Sequence, residues 1–305
     1  MQHVLTLTTD PVARALGAGH AATAAQALRR AGAAVGETDW LAADVALDLP
    51  FDGIAPAAAL AAVRTALADR PIDANAQRAD GRRKRVLIAD MDSTIITSES
   101  LDELAEYAGL KEVIAAITAR AMRGELEFEA ALTERVAMLK GLAESTIDAV
   151  LARIEITAGA AALVATMKAH GAYCALVSGG FTPITGAIRA RLGFDEDRAN
   201  RLEVADGALT GRVILPILGR DAKLAALREV VGRLGTDPAD AVAVGDGAND
   251  LAMLQAAGIG VAFRAKPAVR EAAGFRIDHG DLSGLLYLQG YRDSDIEAAR
   301  GRTSS

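Results

Sequence analysis

Disulfides are the first thing this chain lacks: Cys174 is its single cysteine, so no intrachain bridge can form. Its neighbours, Tyr173 to Val177, read as a buried strand, where a thiol behaves as a small hydrophobe. Histidine is scarce too. His3, His20, His170 and His279 are scattered without ligand spacing, which argues against a zinc site. Aromatic residues amount to 4% while hydrophobic residues reach 51%, so the core is built mainly from Ala, Leu and Val. Such a chain is not disordered. Positive charge is also short: a net charge of -7 speaks against a nucleic-acid binder, which needs a basic face. The one basic run, Arg82-Arg83-Lys84-Arg85, reads as a solvated linker end before a strand. No uninterrupted apolar stretch could span a bilayer, and no charged start leads into one. The expectation is a soluble cytoplasmic protein with neither nucleic acid nor membrane among its partners.

A length of 305 residues accommodates two domains. Residues 1–76 read as a unit of their own. A strand at Val4 to Thr8 is followed by an Ala-rich helix, Ala18 to Ala31, stopped at Gly32. Ala33 to Trp40 and Val45 to Leu49 form a hairpin pair, then come a helix at Pro56 to Ala68 and a last strand at Ile72 to Ala76. That βαββαβ order predicts a ferredoxin-like sandwich. Residues 77–85 are polar and carry Gly81, which suits a linker. Over 86–290 the strands 86–91, 172–177, 241–245 and 259–263 alternate with helices, the pattern of an α/β doubly wound parallel sheet. About eighty residues separate the first two strands, far more than one crossover helix needs. Residues 96–155 inside that gap read as several amphipathic helices inserted as a cap. Residues 200–216, with Gly207 and Gly211, predict a β-hairpin flap. Residues 291–305 read as a polar tail.

Chemistry concentrates where the strands end. Asp90-Met91-Asp92-Ser93-Thr94 follows the apolar run Val86-Leu87-Ile88-Ala89, and in open α/β sheets ligands bind outside the carboxyl ends of the strands. Two carboxylates leaving one strand together can divide phosphoryl transfer, one attacking phosphorus while the other handles protons. Alone, the pentapeptide is equally an Asp capping a helix. Gly245-Asp246-Gly247-Ala248-Asn249-Asp250 supplies two more carboxylates and an amide in a loosened turn entering a helix at 251–257. Hard oxygen ligands there suit Mg²⁺; capping Asp residues are the structural alternative, which the second acidic strand end disfavours. Val177-Ser178-Gly179-Gly180 offers a hydroxyl and glycines that let backbone N–H groups approach a phosphate, although such turns occur in unrelated proteins. Lys223, in a helix starting near Arg220, reads locally as a solvated lysine. Arg135 falls within the apolar stripe Phe128, Ala131, Leu132, Val136 and Leu139. An inward arginine is costly unless it meets an anion, and a structural salt bridge would also serve. Glu99 precedes Ser100-x-x-Glu103, a capping-box pattern, where an acid complements the helix dipole. Met122 and Phe128 read as core residues.

Taken in order, Asp90-x-Asp92-Ser93-Thr94, Ser178, Lys223 and Gly245-Asp246-Gly247-x-Asn249-Asp250 resemble the four motifs of the haloacid dehalogenase superfamily, over about residues 84–290. With Glu99, Met122, Phe128, Arg135 and the run Val177-Ser178-Gly179-Gly180-Phe181, the stretch is similar to the branch that hydrolyses O-phosphoserine in the last step of serine biosynthesis. The resemblance implies that Asp90 is a nucleophile forming an aspartyl-phosphate and that Asp92 is the general acid and base. It implies Mg²⁺ held by Asp90, the backbone carbonyl of Asp92 and Asp246, with Asp250 in support. Ser178, Gly179, Lys223 and Asn249 would hold the phosphoryl oxygens. Arg135 would grip the substrate carboxylate and Glu99 its ammonium, while Met122 and Phe128 would exclude water. The N-terminal unit resembles ACT-type regulatory domains, implying an amino-acid effector and a homodimer. Two other readings stay open: an enzyme of the same fold acting on phosphohomoserine or passing phosphate to homoserine, and a non-catalytic amino-acid sensor. A transport ATPase, which shares an aspartyl-phosphate, is excluded by the missing membrane helices.

Overall fold

A computed structural model describes the chain apart from residues 123–124, 220 and 304–305, and apart from the side chains of residues 119, 121, 122, 300, 302 and 303. The N-terminal elements are β1 (His3–Thr8), α1 (Ala18–Arg30), β2 (Ala34–Val35), β3 (Asp39–Ala42), β4 (Ala46–Asp52), α2 (Pro56–Ala66) and β5 (Asp73–Arg78). Their sheet runs β2-β4-β1-β5, with β3 also on β4, and every pairing is antiparallel. Leu5 and Leu7 of β1 pack with Leu28 of α1 and Val63 of α2. The strand expected over residues 33–40 is split in two, and the cause is on its neighbour. Gly36 N–H donates to the Pro50 carbonyl at 2.9 Å, but proline has no N–H to return, so the ladder breaks opposite Pro50.

The second sheet is built from β6 (Val86–Ala89), β7 (Tyr173–Phe181), β8 (Glu196–Ala205), β9 (Ala208–Ile214), β10 (Ala241–Gly245), β11 (Ile259–Phe263) and β12 (Phe275–Ile277). Its order is β12-β11-β10-β6-β7-β8-β9, parallel throughout except for β9 against β8. Strands covered on both faces need continuous apolar runs, and β6, β10 and β11 are buried at every position. Alternate residues feed two cores: Leu87, Val242 and Val261 join one, Val86, Ala243 and Ala262 the other. The helices that accompany this sheet are α3 (Ser100–Tyr107), α4 (Lys111–Met122), α5 (Phe128–Ala137), α6 (Thr146–Arg153), α7 (Ala160–Ala169), α8 (Thr182–Leu192), α9 (Ala222–Arg233), α10 (Leu251–Ala256) and α11 (Pro267–Ala272), with α12 (Gly284–Leu288) and α13 (Asp293–Thr303) after the last strand. Helices α3 to α6 occupy the long gap after β6. The β8–β9 hairpin is zipped to them by backbone bonds, Gly141 N–H to Leu209 O and Leu209 N–H to Leu142 O, each 2.8 Å.

Several expectations need correction. The described part of the expected polar tail 291–305, residues 291–303, is docked: α13 carries buried Ile296 and Ala299, and Tyr291 lies edge-on to His170 with ring centroids 4.9 Å apart. Three spaced apolar residues in a charged segment suffice to dock a short helix. The basic run before β6 is not wholly solvated either, because Arg82 pairs with buried Asp48 at 2.6 Å. Strand β12, only three residues long, falls below what periodicity can register.

Candidate active site

Asp90 sits just past β6, beside the point where β10 and β7 diverge to either side of it. The backbone turns sharply here: Ser93 takes φ +54°, and Ile96 N–H closes back onto Met91 O at 3.0 Å. That turn sends Asp90 and Asp92 to different neighbours. Asp90 is buried, and its Oδ1 accepts from Met91 N–H at 2.8 Å and from the Lys223 ammonium at 2.7 Å. Lys223, also buried, reaches Asp250 Oδ1 at 2.5 Å, so the lysine read locally as solvated is an internal counter-ion. Asp250 Oδ2 accepts from Gly247 N–H at 2.9 Å. A Cβ on Gly245 would fall 2.3 Å from Asp250 Cγ, which makes glycine obligatory where that carboxylate folds back.

Asp90, Asp246 and Asp250 each offer an oxygen within 4.8 Å of the others. Burial, then repulsion from Asp250, pushes the Asp90 carboxyl well above its usual range, against the pull of Lys223. Burial would lower Lys223, but Asp90 and Asp250 outweigh it and hold the ammonium protonated. Asp246 is pushed up to about 6 by burial, against Lys266, whose ammonium lies 3.6 Å away. Two of the three carboxylates share the buried Lys223 ammonium and the third stands beside the exposed Lys266, an excess of negative charge that a divalent cation would balance. The donors are hard oxygens, the chemistry Mg²⁺ requires. Asp250 has both oxygens engaged by protein groups, which fits a supporting place behind Asp90 and Asp246.

Asp92 stands outside that cluster. Its Oδ1 accepts from Ser100 N–H at 2.9 Å and its Oδ2 from the Ser178 hydroxyl at 3.3 Å. Burial, then the charge of Glu99, raises it to about 6, with Ser100 N–H opposing. The Ser178 hydroxyl in turn accepts from Gly180 N–H at 2.8 Å. Strand β7 extends through Phe181 rather than stopping at Val177, and its pairing with β8 is irregular between those two residues. Within that irregular stretch Gly180 faces Asp92, whose Oδ2 would lie 2.9 Å from a Cβ there. Asn249, half-buried, lies in the loop between Asp246 and Asp250, its Oδ1 close over Gly247.

The cap residues meet this centre from the other side. Glu99 is exposed and accepts from the Ser93 hydroxyl at 2.7 Å. It occupies the cap position of α3 without a side-chain capping bond, so the expected capping box at Ser100 and Glu103 does not form; Ser100 N–H serves Asp92 instead. Arg135 is half-buried, and its partners among the described residues are neutral: Nε donates to Ala131 O at 3.1 Å and Nη1 to Thr118 Oγ1 at 3.2 Å. Burial lowers its pKa, opposed by Asp102, Glu99 and Asp92. The tip of the Phe128 ring lies 3.3 Å from where a Cβ on Gly179 would be. The side chain of Met122 lies outside the described residues. Sequence reasoning missed Ser100, Asn200 and Lys266. Asn200 is buried and clamps the Gly179 carbonyl (2.8 Å) and Leu218 N–H (2.7 Å); a polar residue among the apolar positions of a hairpin was the only clue.

Comparison with known proteins identifies the family. Residues 87–255 match the family model of haloacid dehalogenase-like hydrolases. A phosphoserine phosphatase from Streptomyces coelicolor is 47% identical over 218 residues, covering 72% of this chain. The chain spans about half that relative's length, 53%. A phosphoserine phosphatase from Streptococcus thermophilus is 46% identical over 205 residues, covering 67% of this chain and 95% of the relative. The solved structure of a probable phosphoserine phosphatase from Vibrio cholerae superposes with a TM-score of 0.78 at 30% identity, covering 99% of this chain and 89% of that one.

Proposed function

Because this chain belongs to the haloacid dehalogenase-like hydrolase family, we propose that it is a phosphatase hydrolysing O-phosphoserine to serine and inorganic phosphate. The observation that carries the proposal is the buried meeting of Asp90, Lys223, Asp246 and Asp250 beside a separately held Asp92. The relatives named as phosphoserine phosphatases support the choice of substrate.

In this reading one oxygen of Asp90 is pinned by Met91 N–H and Lys223, and the other attacks phosphorus in line. The ester P–O bond breaks as the Asp90–phosphorus bond forms, and Asp92 gives its proton to the departing seryl oxygen. Water then attacks the aspartyl-phosphate, Asp92 takes a proton from it, and the Asp90 carboxylate leaves as phosphate is released. A carboxylic acid at about 6 is suited to both halves, since it can hold a proton and accept one near neutrality. Mg²⁺, held by Asp90, Asp246 and the Asp92 carbonyl with Asp250 behind them, would supply charge neutralisation between carboxylate and phosphate. Ser178, Gly179, Lys223 and Asn249 take the phosphoryl oxygens. Arg135, whose partners among the described residues are neutral, turns its guanidinium fork to the substrate carboxylate, and Glu99 takes the ammonium. Phe128 and Met122 keep water out.

The proposal extends to the N-terminal domain, residues 1–76, as an amino-acid effector site and a subunit-pairing module beside a catalytic domain at 86–290. Its sheet order supports this. A cytoplasmic location completes the reading. The test is phosphate release across a panel of phosphorylated amino acids and sugars, with and without homoserine. Phosphoserine is expected to be the preferred substrate; rapid hydrolysis of a sugar phosphate with phosphoserine untouched would refute the reading.

A further inference from the structure

One face of β5 is polar where it meets the rest of the molecule. Asp73, Asn75 and Gln77 alternate along it, as side chains on one face of a strand must. Asn75 exchanges two bonds with the Arg276 backbone, Nδ2 donating to the carbonyl and Oδ1 accepting from the N–H, each at 2.9 Å. Gln77 Nε2 donates to Leu288 O at 2.7 Å. Asp73, 3% exposed, accepts from the N–H groups of Asp278 (2.7 Å), His279 (3.1 Å) and Gly280 (2.8 Å). Asn75 and Asp73 thus satisfy the backbone of β12, the edge strand of the second sheet, and of the loop that follows it, while Gln77 reaches the end of α12.

That loop leaves the carboxyl end of β12, the end of the sheet where the acidic cluster lies. The Gly280 carbonyl accepts from Arg264 Nη2 at 3.0 Å. Arg264 directly follows β11 with φ +43°, a left-handed conformation that a residue with a Cβ keeps only when its surroundings over-determine it. Its own N–H is tied to Ile277 O at 2.8 Å. Two residues on, Lys266 N–H donates to Asp246 O at 3.2 Å and its ammonium stands 3.6 Å from Asp246 Oδ2. The bonds therefore run without a gap from the N-terminal domain to Asp246.

We propose that Asp73 is a positioning residue for Asp246, acting through Gly280, Arg264 and Lys266. The proposal rests on the reading of Asp246 as a metal ligand. The shape of the 264–266 segment sets the length of the ion pair between the Lys266 ammonium and the Asp246 carboxylate, 3.6 Å as it stands. With Asp73 in place the pair keeps that length; with the loop loosened the ammonium closes further on Asp246 and competes with a cation. Partners of this kind, one step behind the ligands, tune metal affinity through orientation. The N-terminal domain is then a part of the catalytic framework and not merely an appended module.

The test is Mn²⁺ binding to the full-length protein without substrate, followed by the electron paramagnetic resonance signal of the free ion. Asp73→Asn and Arg264→Gln should each weaken binding roughly three- to tenfold, and the two together should be less than additive, as expected of residues in one line. Made on top of Lys266→Met, Asp73→Asn should have no further effect, which a purely structural clasp would not produce. A folded Asp73→Asn protein that binds Mn²⁺ as tightly as the parent overturns the proposal. Should Asp73→Asn fail to fold, Arg264→Gln, which leaves the Asp73 bonds in place, decides by the same criterion. A parent protein that binds no Mn²⁺ refutes the metal reading itself and takes this inference with it.

Discussion

Gly180→Ala probes the proton-handling half of the site with a single methyl group. The added Cβ would lie 2.9 Å from Asp92 Oδ2, 2.9 Å from Ser100 Oγ and 3.1 Å from Ser178 Oγ. Comfortable non-bonded contact begins near about 3.5 Å, so each oxygen has to retreat by about half an ångström. None is the loose end of a long side chain: Asp92 is pinned by Ser100 N–H and Ser178 by Gly180 N–H itself. Misplacing a reacting group by about 1 Å costs on the order of 10²-fold in rate, so half that shift should lower kcat about tenfold. Overpacking of this size should cost about 1–3 kcal/mol of stability. Gly179→Ala is the control, because its Cβ meets only the tip of the Phe128 ring at 3.3 Å, and the ring can swing aside. Its effect should appear in KM. Steady-state kinetics with phosphoserine, together with denaturant unfolding, separates the two. A folded Gly180→Ala enzyme with kcat within about twofold of the parent would show that Asp92 is not poised at the reacting ester.

Lys223→Met leaves Asp90 and Asp250 buried without their shared counter-charge, so the metal-free protein should lose about 3–5 kcal/mol. Urea unfolding near pH 8 reads this, and Mg²⁺ should recover part of it; a loss below about 1 kcal/mol would mean the ammonium balances nothing. Arg135→Ala should raise KM for phosphoserine while sparing a phosphate monoester without a carboxylate, and equal losses would make Arg135 structural. Asp92, at about 6, carries its proton below that pH and loses it above, by about tenfold per unit. Phosphoenzyme formation from phosphoserine should therefore fall on the alkaline side relative to p-nitrophenyl phosphate, whose leaving group needs no proton. Parallel pH profiles would remove Asp92 from the acid role. Excess chelator should halt turnover and added Mg²⁺ restore it; full activity in chelator would reject the metal.

Much of the framework can be read along the chain because it is local. Val86 to Ala89 and Ala241 to Val244 are unbroken apolar runs that only a doubly covered strand explains, and their carboxylates follow within a residue or two. The inserted cap announces itself as excess length between strands. The split of β2 from β3 is also local in origin, but it depends on Pro50 of the neighbouring strand, which no inspection of residues 33–40 alone would reveal. Helix α13 escaped because its buried contacts, Ile296 and Ala299, are few amid charge, so composition hides them.

What the linear order determined by itself is which residue types stand at strand ends: hydropathy selects the strands, and the residues that follow them must emerge at one edge of the sheet. What only the folded molecule decided is which of those groups touch. Lys223 looks solvated until α9 carries it between Asp90 and Asp250, and Ser100 looks like a helix cap until its N–H meets Asp92. Asp73 looks like the start of an ordinary strand until it gathers three N–H groups some two hundred residues away. Charge pairing and hydrogen bonding act over a few ångströms of space, with no regard for separation along the chain, and periodicity carries no record of such meetings.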